Sequence, residues 1–505
     1  MSRGLFRSTA TIGAMTLISR ILGFVRDMVL ARVFGAGAAT DAFFVAFKLP
    51  NLFRRLFGEG AFASAFVPVF TEYREQRAPS ELHELLDRVA GTLALVLVAV
   101  TVAGVLGAPL LVWVLAPGFA GDPAQQALTV DLLRITFPYL LFIALVALAG
   151  SVLNTVGRFG PPAFTPVLLN VAMIGAALFA VPHFARPIDA LAWGVLAGGV
   201  AQLAFQWPFL RRAGLLPRPR PGWRHDGVGR IVRLMGPGVL SAGVTQIGII
   251  IDTILASLLA RGSVSFLYYA ERLMQFPLGL FGIALGTAIL PTLSGLVSRG
   301  EDGDYRETLD RALRAVVTIG APAALGLMVL GRPILATLFQ YGAFDAQAAA
   351  ATEAALIAFA AGLPGFIAVK VVAPAYFARQ DTRTPLKAAA WALGVNVVLN
   401  LALIGPLAHA GLALATALAA YVNAGYLLWA LRREGLFSVL PGWGGHLARV
   451  ALALVALGLA AWAVAPAAAF WDGAGVGQRV AWLAASLAAA GGAYGAVAWL
   501  AGVAE

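Results

Sequence analysis

Charged side chains lie inside or at the ends of long apolar stretches of this 505-residue chain. A charge at the centre of a membrane helix costs roughly 2.5–3.5 kcal/mol on insertion scales, so it is retained where it faces water, a cavity or a partner. Cations outnumber carboxylates in this set, and arginine suits bidentate binding of phosphate. The pattern predicts a wet, positively charged chamber that receives something anionic. Its members are Arg20, Arg26, Asp27, Lys48, Arg54, Arg55, Glu59, Glu271 and Arg272.

The same charges also allow a purely structural interpretation. Interlocking ion pairs between helices, or long side chains that reach the membrane surface, would hold them without any cargo. Arg55 and Glu59, for example, are four residues apart, which is the spacing of a helical ion pair. We favour the functional interpretation because the cations are in excess. The structural one suits three charges that stand alone or near the end of an apolar stretch, namely Asp41, Arg332 and Lys370.

A second group of polar residues begins at Asp252, in the middle of the chain, and continues in the C-terminal half. Asp252 is the lone carboxylate of an apolar stretch, Asn396 and Asn400 are four residues apart, and Thr416 lies in the following stretch. These side chains offer only oxygen ligands, which suit a small hard cation if they converge. Asparagine and threonine in membrane helices also serve as interhelical hydrogen-bonding groups, and the sequence leaves both interpretations open.

Composition excludes several classes of protein. The chain is 60% hydrophobic with a mean hydropathy of +0.84, which is typical of a membrane protein rather than a soluble one. Cysteine is absent, so neither a disulfide framework nor a thiolate site is expected. The net charge of +11 follows the loops between apolar spans, so we expect no nucleic-acid partner.

Windows of about 20 apolar residues predict an all-α polytopic membrane protein. Twenty-one loop cations fall in the even-numbered connections and about four in the odd-numbered ones, which predicts that both termini are cytoplasmic. An odd number of spans would break this alternation. The fourteen predicted spans are 8–34, 39–70, 90–116, 130–156, 162–183, 189–210, 231–260, 264–297, 312–340, 350–377, 386–405, 411–431, 447–465 and 479–502.

The chain also repeats itself at an offset of about 224 residues. Residues 43–62 align with residues 267–286, and Lys48 meets Arg272 in that alignment. Six spans per copy is an even number, so both copies enter the membrane from the same side. Parallel repeats of this kind are a transporter architecture with the substrate site between the halves. We therefore predict a six-helix bundle at 1–225, a second at 226–440, and an appended helix pair at 441–505.

Three sequence segments carry a family resemblance. SRILGFVRD (19–27), FGAGAATDAFFVAFKLPNLFRRLFGEGAF (34–62) and YYAERLM (268–274) resemble the MurJ (MviN) family of bacterial lipid II flippases, in the MOP exporter superfamily. The resemblance runs from about residue 8 to residue 500. It implies two six-helix bundles and two extra helices bordering a groove for a polyprenyl tail.

The resemblance also implies roles for individual residues. A sodium ion is implied for some members, but Asn400 stands where some relatives have a carboxylate, and Gln275 replaces an acidic residue found in others. The implied cavity arginines are Arg20, Arg26, Arg54 with Arg55 adjacent, and Arg272; the implied polar and acidic residues around them are Ser19, Asp27, Asp41 and Glu59. The implied sodium ligands are Asp252, Asn396, Asn400, Thr416 and the Leu412 carbonyl.

The function expected from the residues and the resemblance is the flipping of lipid II, a peptidoglycan precursor, from the cytoplasmic to the outer leaflet of the bacterial inner membrane. Alternating access of a cationic cavity would move the anionic head group. The membrane potential, at about 2.3 kcal/mol per charge per 100 mV, would help to drive it. Lipid II, membrane lipids and the cell-wall synthesis machinery are the expected partners.

Rival functions remain at this stage. A flippase for another polyprenyl-linked glycan fits the same cavity, whereas a drug or cation antiporter should have an acidic one. A membrane-embedded enzyme that transfers lipid-linked sugars needs carboxylates or a metal at a membrane face. The chain has no HExxH motif, so we expect no enzyme. A scaffold or channel without transport would not require buried arginines.

Overall fold

The structure is a computed structural model that describes the backbone of residues 3–58 and 61–503. Side chains are described in these ranges except at 3–12, 55–58, 61 and 237–245. The described residues form helices and no strands, as the sequence predicts. The chain divides into two compact units, Met1–Gly262 and Ser263–Glu505.

The described residues of the first unit form ten α-helices. Short 3₁₀ turns at Pro117–Gly121 and Val181–His183, and a π turn at Ala176–Ala180, connect or extend them. The helices are α1 (Arg3–Phe34), α2 (Ala38–Gly58), α3 (Ala61–Gln76), α4 (Pro79–Leu106), α5 (Ala108–Leu115), α6 (Pro123–Thr136), α7 (Tyr139–Thr155), α8 (Gly160–Gly175), α9 (Pro187–Arg212) and α10 (Asp226–Ser257).

The second unit also contains ten α-helices, with a π turn at Leu278–Gly282 between the first two. They are α11 (Ser263–Pro277), α12 (Ile283–Arg299), α13 (Asp302–Val329), α14 (Gly331–Leu338), α15 (Ala346–Ala361), α16 (Leu363–Ala378), α17 (Arg383–Arg433), α18 (Trp443–Val464), α19 (Ala468–Gly473) and α20 (Val476–Leu500).

The two units repeat the same helix pairings. In the first unit α2 packs on α6, and α7 packs on α3, α4 and α9. In the second unit the helices about 224 residues later pair in the same way: α11 packs on α15, and α16 packs on α12, α13 and α17. Helices that bury equivalent faces against equivalent partners support the internal repeat read from the sequence.

Ten helical segments are long and apolar enough to cross a membrane, judged by length and composition over the described residues. They correspond to eleven of the fourteen predicted spans, because Arg383–Arg433 contains two of them. The other three predicted spans lie on α1, on α2 with α3, and on α10. The count of fourteen stays a prediction.

The break within α17 separates the two predicted spans that share it. Ala408 has a φ of 48° and a ψ of −129°, which interrupts the helix two residues after Pro406. Proline cannot donate the helical hydrogen bond, so a break near this position is expected. The result is a sharp reversal that brings the residues before Ala408 close to those after it, within the second unit.

The limits of the two compact units differ from the predicted domain limits. The sequence boundary between the two units falls between Gly262 and Ser263. The first unit therefore includes α10, which packs on α3. In that packing Val228 and Ile231 join a buried cluster built on Phe66 and Phe70. The predicted limits after residues 225 and 440 stay predictions. The helix pair α18 and α20 belongs to the second unit, where α18 packs on α13 and α20 on α14.

Candidate functional site

A buried ion pair on α1 is the first part of the candidate site. The Nε and Nη2 atoms of Arg26 donate to Asp27 Oδ1 at 3.0 and 2.7 Å, and Nη1 donates to Asn170 Oδ1 at 3.1 Å. Arg26 is 7% exposed and Asp27 is 1% exposed. A buried charge requires such partners, because an isolated one would have a large desolvation cost.

Asn170 connects this ion pair to a neighbouring helix. It lies on α8, which packs on α1, and its Nδ2 donates to the Ser19 carbonyl at 3.2 Å. Arg20, by contrast, lies on α1, and its side chain is exposed. The cations predicted on α1 therefore differ in character: Arg26 is paired and buried, whereas Arg20 is exposed.

The second part of the candidate site lies on α2. Arg54 is half-buried, and its Nε donates to Asn51 Oδ1 at 2.9 Å. Lys48 lies six residues earlier in the helix and is also half-buried. The side chain of Arg55 and the whole of Glu59, which the sequence pairs with each other, lie outside the described residues.

Asp41, at the start of α2, has a partner that the sequence did not suggest. Its Oδ2 accepts a hydrogen bond from the Gly262 amide at 2.6 Å, and its side chain is 1% exposed. The carboxylate therefore joins the start of α2 to the loop after α10, within the first unit. Gly262 has a φ of 95°, a conformation that favours glycine.

A third cluster of predicted site residues lies on α11, in the second unit. Arg272 donates to Tyr268 Oη at 3.3 Å and to Gln275 Oε1 at 3.4 Å, and its guanidinium lies 5.2 Å from the centre of the Tyr268 ring. Gln275 Nε2 donates in turn to Glu271 Oε1 at 2.6 Å. Gln275 thus connects the adjacent cation and carboxylate through its side-chain amide.

Three residues of these clusters were missed by the sequence analysis: Asn51, Asn170 and Tyr268. Asn170 is the amide within the apolar stretch VLLNVAM, and Asn51 follows the helix-interrupting Pro50. Tyr268 precedes Arg272 by one helical turn. A rule that pairs each buried cation with any amide or phenol one turn away would have found Asn51 and Tyr268. Asn170 is 144 residues from Arg26, so only the packing of α8 on α1 reveals it.

The four predicted sodium ligands of the second unit come together at the break in α17. Asn396 Nδ2 donates to Thr416 Oγ1 at 3.2 Å, Asn400 Nδ2 donates to Asn396 Oδ1 at 3.1 Å, and Thr416 Oγ1 donates to the Leu412 carbonyl at 3.0 Å. Asn396, Asn400 and Leu412 are all buried. The fifth predicted ligand, Asp252, lies on α10 in the first unit. Within the part of the chain that the structure describes, no group of three or more His, Cys, Asp or Glu side chains could hold a metal ion.

The guanidinium groups of these clusters can bind anions. Guanidinium groups held by tyrosine and amide partners present fixed N–H donors, which form strong hydrogen bonds to phosphate oxygens.

The fold defines the class of protein. A multidrug resistance transporter of the MATE family, in the MOP superfamily and in an inward-facing conformation, matches 85% of this chain and 98% of its own with a TM-score of 0.65. At 14% identity this likeness shows the fold alone. The chain is a polytopic helical membrane protein with the fold of the MOP exporters.

Sequence comparison narrows the class to a family. The lipid II flippase MurJ family matches residues 30–482. A protein of Vibrio cholerae described as a probable lipid II flippase MurJ is 43% identical over 460 residues, which cover 90% of this chain and 88% of the relative. A solved structure of lipid II flippase MurJ in an inward closed conformation has a TM-score of 0.81 and 25% identity, covering 97% of this chain and 98% of that one. The chain belongs to the lipid II flippase MurJ family.

Proposed function

We propose that this chain moves lipid II from the cytoplasmic to the outer leaflet of the bacterial inner membrane. The observation that carries the proposal is the family match over residues 30–482, which includes α2 with Arg54 and α11 with Arg272. The family is one of flippases, so the activity is transport and not catalysis. The product is delivered where peptidoglycan is polymerised, so enzymes of cell-wall synthesis are the expected downstream partners.

The main barrier to flipping is the passage of an anionic head group through hydrocarbon. The diphosphate of a polyprenyl-linked precursor would lose its hydration there, and several kcal/mol would be needed to move each unpaired charge. Arg20, Arg54 and Arg272 replace part of that hydration with charge-assisted hydrogen bonds. The residues that hold Arg54 and Arg272, namely Asn51, Tyr268 and Gln275, reduce the side-chain entropy lost on binding.

Arg26 has a different role in this proposal. Its guanidinium already donates to Asp27 and Asn170 and is 7% exposed, so it acts as a buried ion pair that fixes α1 on α8. Because Arg26 and Asp27 form an ion pair, the two residues together contribute no net charge to the cluster. The positive field for the cargo therefore comes from the other cations of the set.

The direction of transport is inferred from topology and physics. The excess of loop cations in even-numbered connections supports both termini in the cytoplasm. With that orientation, a membrane potential that is negative inside drives an anionic head group outwards, at about 2.3 kcal/mol per charge per 100 mV. Alternating access of the two halves, as in other transporters built from parallel repeats, completes the mechanism.

A sodium ion fits the oxygen cluster at the break in α17. Leu412, Asn396, Asn400 and Thr416 offer a carbonyl, two amide oxygens and a hydroxyl, and hydrogen bonds of 3.0–3.2 Å already bring these groups together. Such a set of hard neutral oxygens suits sodium better than a transition metal. When bound there, the ion would supply a positive charge that links the two halves of α17 on either side of Ala408.

The sodium proposal predicts a cation-specific stabilisation of the purified protein. The melting temperature should be higher in sodium chloride than in potassium chloride of equal ionic strength, since a ligand that binds only the folded state stabilises it. Asn400→Asp should enlarge the difference by adding a charge to the cluster. Equal melting temperatures in the two salts, for both the natural chain and the variant, would contradict the sodium site.

A drug or cation antiporter is not favoured. Its chamber should carry excess carboxylate to attract organic cations, whereas Glu271 is linked to Gln275 and Asp27 to Arg26 in this structure. A different polyprenyl-linked glycan would satisfy the same clusters, and only a measurement on the cargo itself distinguishes it from lipid II.

The cargo can be tested in cells that depend on this chain. A bacterial host depleted of its own flippase and expressing this chain should present lipid II on its outer leaflet, where an added lipid II-degrading toxin cleaves it. Arg272→Ala should abolish cleavage at normal membrane abundance, because it removes a guanidinium that nothing else on α11 replaces. Arg311→Ala is the matched control, since Arg311 is an exposed arginine of the same unit that pairs with Glu307. Lipid II that stays inside while the natural chain is abundant would refute the assignment of the cargo.

A further inference from the structure

The segment between α9 and α10 is fixed along α4 and forms a strap, residues 213–225. The Arg218 amide donates to Asp87 Oδ1 at 2.6 Å, and the Arg220 amide donates to the Asp87 carbonyl at 3.0 Å. The Gly222 amide donates to Thr92 Oγ1 at 3.0 Å. Three backbone donors of the strap are thus bonded to consecutive turns of one helix, so the segment has a defined course.

Close packing confirms that the strap is built against α4. A Cβ atom at Gly91 would lie 2.3 Å from the Arg220 backbone, and one at Gly222 would lie 2.4 Å from Arg88 Cδ. No side chain other than hydrogen fits at either position without displacement. The ring nitrogens of His83 lie 2.7 Å from the carbonyl oxygens of Pro79 and Gly214, which ties the start of the strap to the start of α4.

The strap leaves its cations without local neutralisation. Arg218, Arg220 and Arg224 are exposed, and none of their side chains forms an ion pair among the residues that the structure describes. Asp87 on α4 accepts from the backbone amide of Arg218. The segment therefore carries a concentrated positive charge on a fixed backbone.

A cavity of about 480 Å³ opens where the strap meets α4. Arg88, Arg224 and His225 line it together with Trp223 and one carboxylate, Glu84. Arg88 donates to the Pro221 carbonyl at 3.0 Å and to Glu84 at 3.4 Å, so its position is set by the strap and by its own helix. Trp223 is 57% exposed. An exposed indole beside arginines is typical of a side chain placed at the membrane–water interface.

We propose that the 213–225 strap and the adjoining turn of α4 form a binding site for the phosphate of an anionic phospholipid head group. The cavity has room for a phosphodiester and its small substituent, and Arg88 and Arg224, which line it, supply donors to the phosphate oxygens. Arg218 and Arg220 add positive charge beside it, and Trp223 packs at the level of the glycerol backbone. None of these residues belongs to the clusters on α1, α2, α11 or α17, so the site is separate from that for the cargo. The strap lies at the inner leaflet in the proposed orientation, and only that placement rests on the proposed function.

The binding test uses the full-length chain, purified in a neutral detergent and titrated with phosphatidylglycerol while native mass spectrometry counts bound lipids. The triple variant Arg218→Gln, Arg220→Gln, Arg224→Gln should weaken binding at least tenfold, since each basic side chain near anionic lipid contributes roughly fivefold. The matched control Arg211→Gln, Arg212→Gln, Arg432→Gln removes the same charge from exposed positions outside the strap and should bind as the natural chain does. Equal binding by the two triple variants would overturn the proposal.

Two further arms separate the head group from other ligands. Phosphatidylcholine should bind at least tenfold more weakly than phosphatidylglycerol, and inorganic phosphate at equal concentration should not displace the lipid. Displacement by inorganic phosphate would assign the cavity to a free anion and overturn the lipid site. Gly91→Ala, which pushes the strap away from α4, should reduce binding without removing any charge. Lipid II flipping is measured separately, so a chain that binds phosphatidylglycerol but moves no lipid II would refute the proposed function and not this site.

Discussion

At the residue scale, the charges on α1 show what the sequence could and could not predict. The sequence identified Arg20, Arg26 and Asp27 as unusual because hydrocarbon disfavours charge. It could not show that Arg26 is bonded to the adjacent Asp27 and to Asn170, because that arrangement depends on the packing of α8 against α1. The partners of a buried cation are set by tertiary structure, whereas the cation itself is visible in the sequence.

Asn170 is therefore a positioning residue whose loss should impair transport. Asn170→Leu removes an acceptor from the buried Arg26 and the donor to the Ser19 carbonyl, at a cost of about 1–3 kcal/mol. We expect a lower melting temperature, and slower lipid II flipping at equal protein abundance.

The matched variant is Asn170→Asp, which keeps an acceptor of similar size for Arg26. It should retain more activity than Asn170→Leu. If both variants transport lipid II as fast as the natural chain, the bond between Arg26 and Asn170 has no role in the cycle.

At the element scale, the short helices α14 and α19 hold the C-terminal helix pair in place. Arg479, at the start of α20, is 6% exposed and donates to the carbonyls of Ala336 and Gln340 at 2.9 Å. These carbonyls lie at the end of α14, where the helix dipole favours a cation. The sequence placed Arg479 among the loop cations, because its burial depends on α14 folding beneath it.

The same region contains a carboxylate with a lowered pKa. Gln340 donates to Asp472 Oδ1 at 3.0 Å and Arg332 donates to it at 2.5 Å, and together they hold the pKa of Asp472 below its usual range. A lowered pKa stabilises the folded state at and above neutral pH, and that contribution is lost only as the pH falls through the lowered value. Arg332, for which the sequence favours a structural interpretation, forms an ion pair with Asp472.

Arg479→Met should destabilise the helix pair. Two carbonyls at the end of α14 would lose their donors while still buried, at a cost of about 1–3 kcal/mol each. The expected result is a melting temperature several degrees lower, measured by tryptophan fluorescence in detergent. Arg449→Met is the control, since Arg449 is an exposed arginine of α18 that donates only to the Gly502 carbonyl in the described structure. An equal decrease in melting temperature in the two variants would show that the buried hydrogen bonds of Arg479 contribute no specific stability.

At the scale of the whole molecule, the sequence predicted the fold class because hydropathy, loop charge and the internal repeat agree. The recurrence of helix pairings, such as α2 on α6 and α11 on α15, follows from that repeat. The exact span count could not be settled in this way. The charged residues on α1 and α2 lower the hydropathy of these two helices, so the features that indicate the site also weaken their membrane signal. The strap and the cavity beside it were also missed, since they depend on hydrogen bonds between segments more than 120 residues apart.

The most direct measurement of the central claim uses purified protein and lipid II alone. The full chain is reconstituted in vesicles whose lipid II carries a reporter, and the transfer of lipid II between leaflets is followed by a quencher that cannot cross the membrane. We expect transfer well above that of protein-free vesicles for the natural chain and for Arg311→Ala, and near the protein-free rate for Arg272→Ala. Transfer by Arg272→Ala at the natural rate would contradict the role of the arginines, and no transfer by the natural chain would contradict the assignment of lipid II as its cargo.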